Sequence, residues 1–142
     1  MNDKAEPGVE QRHRNMLIIW AGILMVIPMY LVLIWINSVP PDPEKTTLSL
    51  MLIGLSIVPV AISFLVKQKL LAKAADLHKL DLVQQAYVVA FVLCEAALLL
   101  GLITYFVTGS PYYVAAIAIG ALGILLHFPR KQHLLDATFK GL

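Results

Sequence analysis

The sequence is poor in charge and in cysteine. Charged residues make up 14% of its 142 residues, and the formal net charge is +2. Such a small positive excess, with no basic run interleaved with aromatic side chains, argues against a nucleic-acid-binding surface. Cys94 is the single cysteine, so an intrachain disulfide and a cysteine-based metal site are excluded. We expect it to serve as a small apolar filler.

Motifs of enzyme chemistry are also missing. The chain has no glycine-rich loop that would cradle a phosphate and no nucleophile elbow. Its histidines are scattered over a tail, a loop and a membrane edge, without the i, i+4 spacing that places two metal ligands on one helix face: His13, His78, His127 and His133. We therefore predict no enzyme activity, no metal and no cofactor.

Apolar residues are abundant instead. The hydrophobic fraction is 59% and the mean hydropathy is +0.79, against about 45–50% apolar residues in soluble domains. A helix needs about 20 mostly apolar residues to cross a bilayer. We predict an all-α integral membrane protein whose main partner is lipid, with four transmembrane helices over residues 16–36, 48–66, 82–107 and 112–128.

These spans form one membrane domain, residues 16–128, between a cytosolic tail, residues 1–15, and an amphipathic tail, residues 129–142. The turn at residues 108–111 is so short that spans three and four must form an antiparallel hairpin. After residue 66, leucines at helical spacing among lysines predict an amphipathic extension, which suits anionic headgroups, a partner subunit or plain solvent. In the last tail, one face predicts a short helix on the membrane surface: Leu134, Leu135, Thr138 and Phe139.

Basic residues predict the orientation. With both termini and the second loop inside, ten of the eleven Lys and Arg residues are cytoplasmic, as the positive-inside rule requires. The expected location is a bacterial-type plasma (inner) membrane, crossed several times.

One acidic residue lies inside the apolar segments. Glu95 is near the midpoint of the third span, and no Lys or Arg lies at comparable depth. A charged side chain there costs a few kcal/mol, about 2.5–3.5 on insertion scales, and desolvation favours the neutral acid. Glu95 is therefore a candidate site for a proton or a cation.

Two oxygen atoms of the second span are predicted partners of Glu95. Ser56 lies at about the same depth, and Pro59 leaves the backbone carbonyl of Leu55 without its usual donor. Either can accept a hydrogen bond from a protonated Glu95. A neutral carboxyl that only holds helices together is thus the alternative, although such bonds are worth about 0.6–2 kcal/mol.

Small residues on the third and fourth spans allow helices to pack closely. These candidate packing residues are Cys94, Ala97, Gly101, Ala116, Gly120 and Gly123. They would serve contacts within the chain, self-association or contacts with other membrane subunits.

The stretch LCEAALLLGLITYFVTG resembles the C-terminal helix of rotary ATP synthase subunit c, the proteolipid. In that family a membrane-buried Glu, followed by Ala and later by Gly, carries the translocated proton or sodium ion. Glu95, Ala96 and Gly101 match this pattern. Span two differs from the family's glycine-rich helix, since it holds one Gly and a proline. The resemblance implies a proton-binding role for Glu95.

Two functions remain as hypotheses. The first is a small membrane subunit that binds a proton or cation through Glu95 within a larger complex. The second is a structural, assembly or interaction subunit in which Glu95 is a neutral hydrogen-bond donor between helices.

Overall fold

The computed structural model describes residues 8–138, and all the regular structure in that range is helical. The prediction of an all-α chain is confirmed. A short 3₁₀ turn, Pro43–Lys45, precedes the third of six helices. These helices are α1 (Val9–Leu24), α2 (Val26–Ile36), α3 (Thr46–Leu77), α4 (Leu80–Thr108), α5 (Tyr113–Leu126) and α6 (Lys131–Thr138).

The first apolar segment forms α1 and α2, which meet at Met25. Pro28 offers no N–H to the carbonyl four residues earlier, and its ring crowds that carbonyl, so the helix loses its regularity there. α1 begins at Val9, so residues 9–15 of the predicted polar tail are helical. Arg12 in this extension forms an ion pair with Asp81 in the first turn of α4. The remainder of the predicted tail, residues 1–7, lies outside the described residues.

α3 and α4 form a long antiparallel hairpin. α3 runs without interruption through Pro59 to Leu77, so the predicted amphipathic extension belongs to the same helix as the second span. His78 ends the helix in the left-handed conformation, with φ of 51°. Only His78 and Lys79 separate α3 from α4, and such a short link forces the two helices to lie side by side. Their contact is the most extensive between any two helices of the described chain.

The turn between α4 and α5 is held by the loop that follows α2. Gly109 has φ of +61°, and a Cβ at this position would lie 2.1 Å from the carbonyl oxygen of Pro40. Tyr105 fixes the same loop, because its hydroxyl donates to the carbonyl of Asn37 at 2.6 Å and accepts from the N–H of Val39 at 3.2 Å. Both contacts tie α2 to the end of the hairpin where α4 stops.

Within residues 8–138, three stretches are long and apolar enough to cross a membrane: Val9–Ile36, Pro43–Leu77 and Leu80–Thr108. α5 has 14 residues, about 21 Å of helix, which is less than the roughly 30 Å of a hydrocarbon layer. Together, α5 and α6 are long and apolar enough to cross a membrane as one broken span, with a bend of 46° between them. The fourth predicted span, residues 112–128, thus corresponds to α5, which ends at Leu126, and Pro129 lies in the link to α6.

α6 differs from the prediction of a helix lying on the membrane surface. Leu134 and Ala137 are buried in a cluster with Met16 and Tyr87, so the apolar face of α6 packs on the ends of α1 and α4. Lys131 at its start forms an ion pair with Glu10 of α1. The buried face of α6 therefore contacts other helices of the chain, whereas the sequence predicted a contact with lipid. Phe139, assigned to the same face, lies outside the described residues.

Candidate functional site

Glu95 lies on α4 at the border between the buried and the exposed side of that helix. Phe91 and Leu98, about one turn away, are fully buried, whereas Val92 and Leu99 are 56% and 42% exposed. The Glu95 side chain is partly buried. The carboxyl therefore lies where the protein interior meets the surface that lipid would cover.

Tyr30 on α2 is a polar neighbour of Glu95. The two groups are close enough to interact electrostatically, and Tyr30 is 6% exposed. Between residues 8 and 138, no hydrogen bond or ion pair joins the Glu95 carboxyl to another group. Its surroundings on α4 are apolar on both the buried and the exposed side.

Two contacts set the register of α3 against α4. Ser63 Oγ lies 3.6 Å from Cys94 Sγ, and Lys67 Nζ lies 4.2 Å from the centre of the Tyr87 ring. Tyr87 precedes Glu95 by eight residues, about 12 Å along a helix. Glu95 is thus separated from the level of Lys67 by nearly half the thickness of a hydrocarbon layer, about 30 Å.

This register does not bring the predicted partners of Glu95 to it. Ser56 precedes Ser63 by seven residues, and in an antiparallel pair it lies level with Gly101, seven residues after Cys94. The Ser56 hydroxyl donates to the carbonyl of Ile53 at 2.6 Å. In the described chain, the Leu55 carbonyl also makes no hydrogen bond with Glu95.

The predicted packing residues are all buried. A Cβ at Gly101 would lie 2.8 Å from Ile117 Cγ1, and one at Gly120 would lie 2.9 Å from the carbonyl oxygen of Cys94. α4 and α5 therefore approach each other closely at these two glycines, in the manner expected of small residues in membrane helices. The remaining members of the set, Ala97, Ala116 and Gly123, are buried as well.

His127 was missed as an interior residue, since its position in the sequence indicates a membrane edge. It is fully buried, with Nε2 3.0 Å from Ser63 Oγ and the ring in edge contact with Phe64. α5 ends one residue earlier, which brings His127 to the level of Ser63 and Cys94. A signal was available: Ser49, Ser56 and Ser63 recur every seven residues, so one face of α3 is small and polar.

The proton positions in this buried pair follow from the hydrogen bonds. The Ser63 hydroxyl donates to the carbonyl of Val60 at 2.6 Å. Because a hydroxyl has one proton, His127 Nε2 must carry the hydrogen that joins the two side chains. Ser63 is therefore an acceptor from histidine, the reverse of what a nucleophilic serine needs. His127 Nδ1 is buried without a partner among the residues described.

A second polar cluster surrounds Tyr87, which is fully buried. Its hydroxyl accepts from the N–H of Arg130 at 3.0 Å and lies 2.6 Å from His133 Nδ1, while Lys67 lies over its ring. Because the N–H of Arg130 already donates to this hydroxyl, the phenol proton is available to Nδ1, and in that arrangement the other ring nitrogen carries the proton of neutral His133. Burial lowers the pKa of His133, and the charge of Lys67 acts in the same direction.

Within residues 8–138, no three His, Cys, Asp or Glu side chains are placed to hold a metal ion together. No family model, curated protein or solved structure matches this chain. The function must therefore be argued from the two clusters and from Glu95.

The bond between Ser63 and His127 gives a stability prediction. We expect Ser63→Ala to destabilise the fold by about 1–3 kcal/mol, because it leaves the buried N–H of His127 without an acceptor. The matched control is Ser49→Ala, since Ser49 is equally buried on α3 but its hydroxyl has no partner among the residues described. Melting temperatures of both variants in mild detergent test this. An equal loss of stability would contradict the assigned bond.

Proposed function

We propose that this chain is a multi-pass membrane protein in which Glu95 binds and releases a proton or a cation, as a small subunit of a larger membrane complex. The supporting observation is the Glu95 carboxyl in the middle of a long apolar helix, with no hydrogen bond or ion pair to the other described residues. In hydrocarbon such a group is stable when it is neutral, through a bound proton, or when a cation compensates its charge.

The position of Glu95 at the edge of α4 favours exchange with the surroundings. Val92 and Leu99 beside it are exposed, so a proton donor or a partner subunit can approach the carboxyl without opening the core. The local resemblance of this helix to the ion-binding helix of the proteolipid supports the same role.

A structural or assembly role is the second candidate. The same edge position lets a neutral Glu95 donate a hydrogen bond to a helix of another chain, since no acceptor among the described residues is bonded to it. In this case the carboxyl holds subunits together and never changes its protonation state.

Both candidates share one proposed location, a bacterial-type plasma membrane with both chain ends on the cytoplasmic side. The support is the excess of Lys and Arg at that end of the helices. Lys73 in the extension of α3 and Glu44 in the loop after α2 are both exposed, and they lie at opposite ends of α3.

Cysteine labelling in intact cells tests this orientation. We expect Lys73→Cys to react with a membrane-impermeant maleimide only after the membrane is opened, and Glu44→Cys to react before that. The unmodified chain is the control, because its single thiol, Cys94, is buried. Labelling of Lys73→Cys from outside would contradict the proposed orientation.

Glu95→Gln tests the proton site directly. In wild type, the infrared carbonyl band of a protonated carboxyl should disappear as the pH is raised, or when the bound cation is supplied. Gln cannot release a proton, so this titrating band should be absent from Glu95→Gln while the melting temperature and oligomeric state stay unchanged. The adduct of Glu95 with a hydrophobic carbodiimide should disappear as well.

Glu44→Gln is the matched control, because it removes an exposed carboxyl and should leave the titrating band intact. The assembly role predicts a different pattern. There the band would not respond to pH or cations, Glu95→Gln would assemble normally, and Glu95→Ala would dissociate the complex. That pattern would contradict proton or cation binding and leave the structural role.

A further inference from the structure

A cavity of 350 Å³ opens between α3, the end of α5 and the start of α6. Cationic and polar side chains line one part of it, and apolar side chains line the rest. The lining residues are Phe64, Lys67, Gln68, Leu71, Leu126, Arg130 and His133. Glu95 is not among them, so a ligand in this cavity is independent of the role of that residue.

In the described part of the chain, no ion pair neutralises the cationic side chains of this cavity. No acidic side chain lines it, and in the described range neither Lys67 nor Arg130 forms an ion pair. Lys67 is the first residue after the second predicted span, and burial, together with the nearby charge of Arg130, lowers its pKa to about 8. Two cations held together in this way gain stability when an anion binds between them.

Tyr87 positions the ammonium group of Lys67 and the backbone of Arg130. Its ring lies under the ammonium group of Lys67, and its hydroxyl binds both the backbone N–H of Arg130 and the ring of His133. Because Tyr87 is fully buried, these positions are set by the core. The Lys67 ammonium group, the His133 ring and the Arg130 backbone are therefore positioned before any ligand arrives, which reduces the entropic cost of binding, while the Arg130 side chain is exposed.

The apolar part of the cavity faces the surface that lipid would cover. Leu126 is 67% exposed, and Phe64 is partly buried on the side of α3 that continues into the second predicted span. A phosphate held by Lys67 and Arg130 would therefore sit at the headgroup level, with apolar surface below it for acyl chains.

We propose that this cavity binds a phosphate group through Lys67, Arg130 and His133, presented by the headgroup of an anionic lipid or by a free phosphate. Arg offers a planar fork of donors that suits phosphate oxygens, Lys adds a point charge, and neutral His133 adds an N–H donor. Basic pockets beside cytoplasmic ends of membrane helices bind lipid headgroups by this chemistry.

The test uses the full chain in nanodiscs and in neutral detergent. Phosphatidylglycerol, compared with phosphatidylcholine, should raise the melting temperature, and native mass spectrometry should detect bound phosphatidylglycerol. Lys67→Gln and Arg130→Gln should each weaken this binding about tenfold, the effect of losing one charge-assisted hydrogen bond. Lys67→Arg keeps the charge and should retain most of the binding.

Lys69→Gln and Lys73→Gln are matched controls, because each removes one charge from an exposed position of the same helix without lining the cavity. They should leave the affinity within about twofold. Inorganic phosphate in neutral detergent separates the two sources: stabilisation lost in Lys67→Gln assigns a free phosphate, and stabilisation only by the diacyl lipid assigns a headgroup. Equal losses in cavity and control variants, or no preference for anionic over zwitterionic lipid with no response to phosphate, would overturn the proposal.

Discussion

The register of α3 against α4 determines where the polar groups of the structure lie. On α3 the buried small residues recur every seven positions, and on α4 they do the same: Ser49, Ser56 and Ser63 on the first helix, and Cys94, Gly101 and Thr108 on the second. Seven residues are nearly two helical turns, so each set forms one stripe along its helix. Cys94 of the α4 stripe meets Ser63 of α3, whereas Gly101 packs against Ala116 and Ile117 of α5, so the small residues of α4 lie where both neighbouring helices approach it.

This register accounts for both polar clusters. It brings Cys94 to Ser63, and the Ser63 side chain meets buried His127, the residue that follows α5. It also brings the Tyr87 ring under the ammonium group of Lys67. Glu95 follows Cys94 directly, and successive residues of a helix point about 100° apart. The Glu95 carboxyl therefore points away from the contact between Cys94 and Ser63. The register that gives Ser63, His127 and Tyr87 their contacts thus leaves Glu95 at the edge of the bundle.

The sequence carried enough information for the helices but not for their register. The apolar segments, the proline-rich loop after α2 and the tight hairpin at Gly109 follow from composition and turn chemistry. The expected bond between Ser56 and Glu95 came from counting depth from the ends of each apolar run. α4 is apolar over a longer stretch than the second span, so equal counts from their ends do not correspond to equal depth.

The early end of α5 was equally hidden from the sequence. Hydropathy alone does not distinguish a helix that spans a membrane from one that stops inside a protein, and Pro129 was assigned to a surface tail. Non-helical backbone is tolerated within a membrane protein where other helices bury it and supply partners. Trp20 does so here, because its indole N–H donates to the carbonyl of Ile124 at 3.0 Å. Trp20 and Ile124 are far apart in the sequence, so hydropathy and residue spacing within one segment do not predict this hydrogen bond.

The register of α3 against α4 is the claim on which the positions of Glu95 and of both polar clusters depend, and one disulfide tests it. Ser63 Oγ lies 3.6 Å from the sulfur of Cys94, so Ser63→Cys should form an intrachain disulfide with Cys94 when membranes are treated with a membrane-permeant oxidant. Mass spectrometry of the thiol-blocked chain would detect it. Ser56→Cys, which lies level with Gly101, should remain reduced under the same conditions. A disulfide from Ser56→Cys, with none from Ser63→Cys, would contradict the register.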